Sequence, residues 1–204
     1  MPLDAESIDR LVENKIERLL VRLDDQQKFC SYLESHLSNI IDDPNLGDPE
    51  KAQAVNLVAT NLAQELIVEP DGDTIQRAQN LFVMTSSHAE HKPDFLASAI
   101  RAASTDGKLA THCVNTAVYS FALVKIGDAS ILGDFAVAGF LADVGKSYVP
   151  PEILSNPAQL DDDEWKLIHR HPIQTVELVG RHFPKTSPIT EAIKHHHVHT
   201  DGSG

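Results

Sequence analysis

The segment from Leu109 to Val124 contains no Asp, Glu, Lys or Arg, and this constrains the fold more than any other feature of the chain. A helix over it has no charged face to offer water, so it must be buried nearly all round. A second apolar helix is predicted from Ile131 to about Asp143, through the run Phe135 to Ala142. That run falls far short of the roughly 20 residues needed to span a bilayer, so no membrane-crossing segment is expected. A third helix starts at Asp161-Asp162-Asp163-Glu164, whose carboxylates suit a helix N-terminus, and Pro172 should kink or restart it. A fourth begins around Ser187-Pro188 and leads into a cluster of histidines. Almost no stretch alternates as a half-buried strand does, so the predicted fold class is all-α.

Ahead of these lies a half of different character. Ile8, Leu11, Val12, Ile16, Leu19, Leu20 and Leu23 recur at spacings of three and four, which predicts one helix with an apolar stripe. Such a stripe, left exposed, makes the chain a homodimer through its N-terminal helices; alternatively it packs on the chain's own core. Pro44, Gly47 and Pro49 break the chain. Ala52, Val55, Val58, Ala59, Leu62 and Leu66 form a second stripe, and further helices are expected from Thr74 to about Ser86 and from Pro93 to about Ser104. No catalytic constellation and no internal repeat is visible there. The expected organisation is a helical regulatory or dimerisation domain over 1–106 and a second helical domain over 107–204.

Charge narrows the function. The formal net charge is −13, with Lys plus Arg 17 against Asp plus Glu 30, so no basic footprint exists for duplex nucleic acid. The acidic start, MPLDAESIDR, lacks the basic segment of a signal peptide, and two cysteines, Cys30 and Cys113, form no framework of disulfides. A cytoplasmic location is expected. Histidine is concentrated late in the chain, with seven of eleven between His169 and His199.

Several of these residues are candidates for chemistry. His112 lies in the uncharged helix on the side of Asn115 and Thr116, where it is expected to be buried, either as a hydrogen-bonded core residue or as a ligand. Asp143 ends an apolar helix, where burial and the macrodipole both disfavour a negative charge, so it needs a cation nearby. Lys146, three residues on, could supply that as a structural ion pair. His169 and His171 fall on different sides of a helix, so at most one faces a given site. His195-His196-His197 is solvated, belongs to a tag, or ligates. His112, Asp143, His171 and His196-His197 stand one per predicted helix, and a bundle can aim such side chains at one centre. Imidazoles with a carboxylate suit iron, manganese, zinc or nickel rather than calcium. Metals paired about 3.5 to 4 Å apart serve phosphodiester hydrolysis.

These residues carry a resemblance. The segment LADVGKSYVPPEILSNPAQLDDDEWKLIHRHP resembles the HD-GYP family between its His-Asp and His-Pro motifs, and HHVHTDGSG is similar to the segment leading into the GYP signature. HD-GYP proteins are HD-superfamily hydrolases that cleave the bacterial second messenger cyclic di-GMP, and their fold is all-helical. The resemblance, from about Leu109 to Gly204, implies metal ligands at His112, Asp143, His171, His196 and His197, with Asp143 bridging two ions. It implies a phosphate contact at Lys146, and iron or manganese as the metal. Cyclic di-GMP or a related phosphorylated small molecule is the implied ligand.

Departures from the pattern are also written in the chain. Ala142 stands where the motif histidine belongs, Lys108 where some members have a glutamate, and Val198 in place of the glutamate after the histidine pair. Gly204 falls before the Tyr-Pro of GYP and before a later aspartate ligand. In the family arrangement this leaves one metal position with only His112 and Asp143, and the other complete. Three readings follow: a degenerate signalling domain with weak or no phosphodiesterase activity, an active phosphodiesterase in a longer chain, and a metal-free helical scaffold.

Overall fold

The computed structural model describes residues 5–16, 19–103, 106–125, 132–156 and 158–203. Among them the structure is all-helical, with no strand. The helices are α1 (Ala5–Glu13), α2 (Gln26–Asp42), α3 (Asp48–Val68), α4 (Gly72–Glu90), α5 (Pro93–Ala102), α6 (Leu109–Lys125), α7 (Leu132–Leu141), α8 (Pro151–Leu154), α9 (Asp162–His169), α10 (His171–Val179) and α11 (Pro188–His195). None of the described helices is long and apolar enough to cross a membrane.

Local signals explain most boundaries. Asp71 caps α4 by accepting from the Thr74 amide at 2.9 Å and the Thr74 hydroxyl at 2.7 Å. Asp161 opens α9 with a capping box, accepting from the Glu164 amide at 2.8 Å while the Glu164 carboxylate takes the Asp161 amide at 2.9 Å. Prolines sit in the first turns of α3, α5, α10 and α11, where a missing amide costs nothing. Pro172 restarts the chain, separating α9 from α10 at Arg170.

One expectation fails. The stripe from Ile8 to Leu23 is not a single helix: α1 closes after Glu13, and Lys15 adopts a left-handed φ of 53°. Glu17 and Arg18 lie outside the described residues, and Leu19 to Arg22 are not helical. The periodicity overlooked α2 in turn. Its buried Cys30, Leu37 and Ile41 are too sparse a pattern to stand out in a polar helix.

At the centre lies α7, buried on nearly every side through Leu132, Ala136, Val137, Ala138, Phe140 and Leu141. It packs chiefly on α6, with α4 and α11 completing its surround. Each fully buried Leu or Phe contributes about 1.5–3 kcal/mol relative to exposure. The apolar cluster takes in Leu62 and Leu66 of α3, Phe82 of α4, Val114 of α6, Phe140 of α7 and Ile193 of α11, on both sides of position 106. Arg77 of α4 adds a polar clamp at the edge, bound to both carboxylate oxygens of Glu34 on α2 at 2.8 and 2.7 Å and to Glu65 on α3 at 2.8 Å.

Gly139 lets the backbone of α7 pack tightly against α6. A Cβ built there would lie 2.7 Å from Ser120 Oγ and 2.9 Å from the Thr116 carbonyl oxygen, the latter fixed backbone. Gly139→Ala is therefore expected to destabilise the fold by about 1–3 kcal/mol through overpacking, despite alanine's better helix propensity. Urea unfolding monitored by circular dichroism measures this.

Candidate metal centre

The site begins where α7 ends. Thr175 of α10, fully buried, accepts the Gly145 amide at 2.9 Å, and its hydroxyl hydrogen faces the carbonyls of Ala142 (3.1 Å) and His171 (2.9 Å). One side chain thus staples the turn after α7 to the first turn of α10. Gly145 is required by the same contact, since a Cβ there would lie 2.3 Å from the His171 carbonyl oxygen. Neither residue stands out in the sequence as a site residue. Thr175 is one helical turn from His171, a spacing that could have flagged it.

This staple holds Asp143 at the start of a 3-10 turn, Val144–Tyr148, with the residue 4% exposed. Its two carboxylate oxygens face different neighbours. His112 Nε2 of α6 is 2.8 Å from Oδ2. Lys146 Nζ and His171 Nε2 are 2.8 and 3.0 Å from Oδ1, and His196 Nε2 is 3.7 Å from it. Burial by itself raises the Asp143 carboxyl, but His171, His196 and Lys146 outweigh it and hold the group well below the ordinary carboxylate range.

Three imidazoles close on Oδ1. His171 is buried at the start of α10, and His196 and His197 leave the end of α11, where Ile193 anchors the helix in the core. The Nδ1 atoms of His171 and His196 lie 2.6 and 2.7 Å from the carbonyl oxygens of Ile168 and Ile193. A carbonyl only accepts, so each Nδ1 donates its proton there, and Nε2 is the ring atom turned toward Asp143. Those Nε2 atoms are 3.2 Å apart, and His197 Nε2 is 3.3 Å from His171 Nε2. Burial, followed by the charges of His196 and His171, shifts His197 toward its neutral form.

Imidazole nitrogens this close to one another and to a buried carboxylate oxygen form the arrangement that sharing one cation requires. Asp143 Oδ1 is also buried without a hydrogen bond of acceptable geometry, its close neighbours acting as charge contacts. Ligand atoms of Asp143, His171, His196 and His197 all lie within 4.8 Å of one another. The donor set fits a transition metal: imidazole nitrogens already oriented by carbonyls, and one carboxylate oxygen free to coordinate.

His112 stands apart. It reaches Asp143 but not the other imidazoles, and its side chain is 58% exposed rather than buried as expected. It lines an open cleft of about 680 Å³ with Lys108, Asn115, Lys146 and Trp165. His169 faces away and packs its ring against Trp165. His195 approaches Glu191 at 3.4 Å. Ala142 is buried and offers a methyl group at the centre's edge, Lys108 pairs with Asp106 at 3.5 Å, and Val198 is exposed.

An all-helical bundle that closes histidines around one aspartate defines a class of metal-site proteins, and sequence comparison says which. The chain belongs to the HD domain family, whose model matches residues 84–204. It is similar to a cyclic di-GMP phosphodiesterase of Pseudomonas aeruginosa, 28% identical over 134 residues, covering 65% of this chain and 32% of that protein. It is also similar to the 3'3'-cGAMP-specific phosphodiesterase 2 of Vibrio cholerae, 33% identical over 112 residues, covering 53% of this chain and 21% of the relative. The chain thus spans about a third or less of the length of either. No solved structure matches it significantly.

Two outcomes follow from this geometry. Gly145→Ala should push α10 away from the turn, costing about 1–3 kcal/mol of stability in urea unfolding and weakening metal retention. Cys113, whose thiol is pushed up to about 12 by burial and then by the nearby Asp143 charge, should be inert to a disulfide reagent at pH 8 in the native protein and react on unfolding.

Proposed function

We propose that this chain is a divergent HD-GYP-type cyclic di-GMP signalling domain of the cytoplasm, holding one iron or manganese ion and hydrolysing the dinucleotide slowly or not at all. The observation that carries this reading is the asymmetry around Asp143. On Oδ1, three imidazoles converge with the carboxylate; on Oδ2, His112 is the one ligating partner among the described residues, and Ala142 supplies none.

An ion held by Asp143, His171, His196 and His197 would polarise a phosphoryl oxygen. The protein's own residues do the rest. Lys146, which contacts Asp143 from the turn after α7, would offset phosphate charge as well, and the adjoining cleft has room for a nucleotide. The clamp on both attacking and leaving oxygens that paired metals provide has no second protein-built seat in the described residues. Residues 1–106, in this reading a regulatory half, share an apolar core with the site-bearing helices.

The names of both relatives favour the rival reading, an active phosphodiesterase. Metal analysis of protein purified without nickel resin separates the two when paired with chromatography of cyclic di-GMP incubated with manganese or iron. One equivalent of metal, lost in His171→Ala, and little product are expected. Two full equivalents with steady turnover would overturn the proposal. Ala142→His is expected to raise the metal content and the rate; an unchanged rate would move the cause to Lys108 and Val198.

A further inference from the structure

Trp165 is the only tryptophan of the chain, and α9 leaves it 46% exposed. A single apolar side chain at a surface needs no explanation, but this one lines the cleft beside the metal centre together with Lys108, His112 and Lys146. Its ring meets that of His169 at a tilt of 45° with centroids 5.3 Å apart, so among the described residues no ring lies flat upon it.

The walls of this cleft differ by element. The start of α6 and the turn after α7 bring the cations Lys108 and Lys146 and the imidazole of His112, whereas the stretch from α8 to α9 brings Ile153, Leu154, Leu160 and Trp165. No carboxylate is among the described residues that line it, in a chain of net charge −13. Two acids stand behind the lysines, Asp106 at 3.5 Å from Lys108 and the buried Asp143 at 2.8 Å from Lys146, and with these counted and histidine neutral the formal charge is zero. By contrast, the cleft beside α2, α3 and α4 sets Asp24, Glu65, Glu69, Asp71 and Asp73 against Arg77 alone. An anion is repelled there and tolerated beside the metal centre. The ligand that suits the second cleft has an anionic end and a flat apolar end, which is the make-up of a nucleotide.

We propose that the indole face of Trp165 is the platform on which a base of the bound nucleotide stacks, with the phosphate lying toward Lys146 and His112. This rests on the cyclic di-GMP reading above and concerns the part of the ligand that the metal centre does not touch. One helix ties the platform to that centre. Ile168, a turn beyond Trp165 on α9, also lines the cleft, and its carbonyl oxygen is the one that orients His171, 2.6 Å from Nδ1. A stacked base is thereby held at a set distance from His171. Every base has a π face, so the ring favours nucleotides over inorganic phosphate and does not choose among bases.

Calorimetry of the metal-loaded whole chain with cyclic di-GMP, GMP and inorganic phosphate tests this, with the fluorescence of the single tryptophan followed in parallel. Both nucleotides should quench the fluorescence, and inorganic phosphate should not. Trp165→Ala should weaken both nucleotides by about five- to a hundred-fold and leave phosphate unchanged, with Trp165→Phe in between. A merely structural role for the ring would instead lower the metal content or weaken all three ligands alike, and either result overturns the proposal. Nucleotide binding without quenching, or with unchanged affinity in Trp165→Ala, also overturns it and leaves the cyclic di-GMP reading standing. Quenching by GMP with no binding of cyclic di-GMP would remove that reading and keep the platform. Binding of neither nucleotide would remove both.

Discussion

A buried carboxylate at the C-terminal end of a buried helix is the constraint on which the site-bearing half depends. Asp143 has lost its water and sits at the negative end of α7, so the fold must bring positive or hydrogen-bonding groups to it. It does so from every direction: α6 sends His112, the following turn sends Lys146, α10 sends His171 and α11 sends His196. The packing of α6, α10 and α11 around α7 and the solvation of one acid are therefore a single requirement. Thr175 and Gly145 make it exact at the atomic level by tying the turn to α10.

The same acid divides the site's chemistry. One oxygen meets imidazoles whose outer nitrogens are already committed to carbonyls, a preorganised ligand set. The other meets a single exposed histidine beside an open cleft. Ala142, one residue before the acid, is buried and carries no ligating atom. Membership of the HD domain family thus comes with a centre whose two sides are unequally furnished.

The earlier helices are joined to this centre physically as well as covalently. Leu62 and Leu66 of α3 and Phe82 of α4 belong to the same apolar cluster as Phe140 and Ile193, and Arg77 ties α2, α3 and α4 to one another. Close packing transmits displacement, so a shift in α3 or α4 is felt at α7 and hence at Asp143. Leu19, Leu20 and Leu23, before α2, lie outside that cluster and are exposed.

The sequence by itself determined the all-helical class, because its apolar residues recur at helical spacings and almost nowhere alternate as in a strand, although the uncharged helix expected to be buried all round leaves Tyr119 and Leu123 exposed. It also determined most helix boundaries, through caps and prolines whose effects are local. It pointed to Asp143 with the histidines, since one titratable group per helix is a pattern that survives without coordinates. Only the tertiary structure decided which face of each helix meets which neighbour. That decision exposes His112, which an uncharged helix is expected to bury, and stops α1 after Glu13, where spacing alone runs the helix on to Leu23. It also brought Thr175 and Gly145 into contact across thirty residues. Periodicity records what a side chain would like to touch; the contact itself is fixed by the packing of other elements, which no local pattern contains.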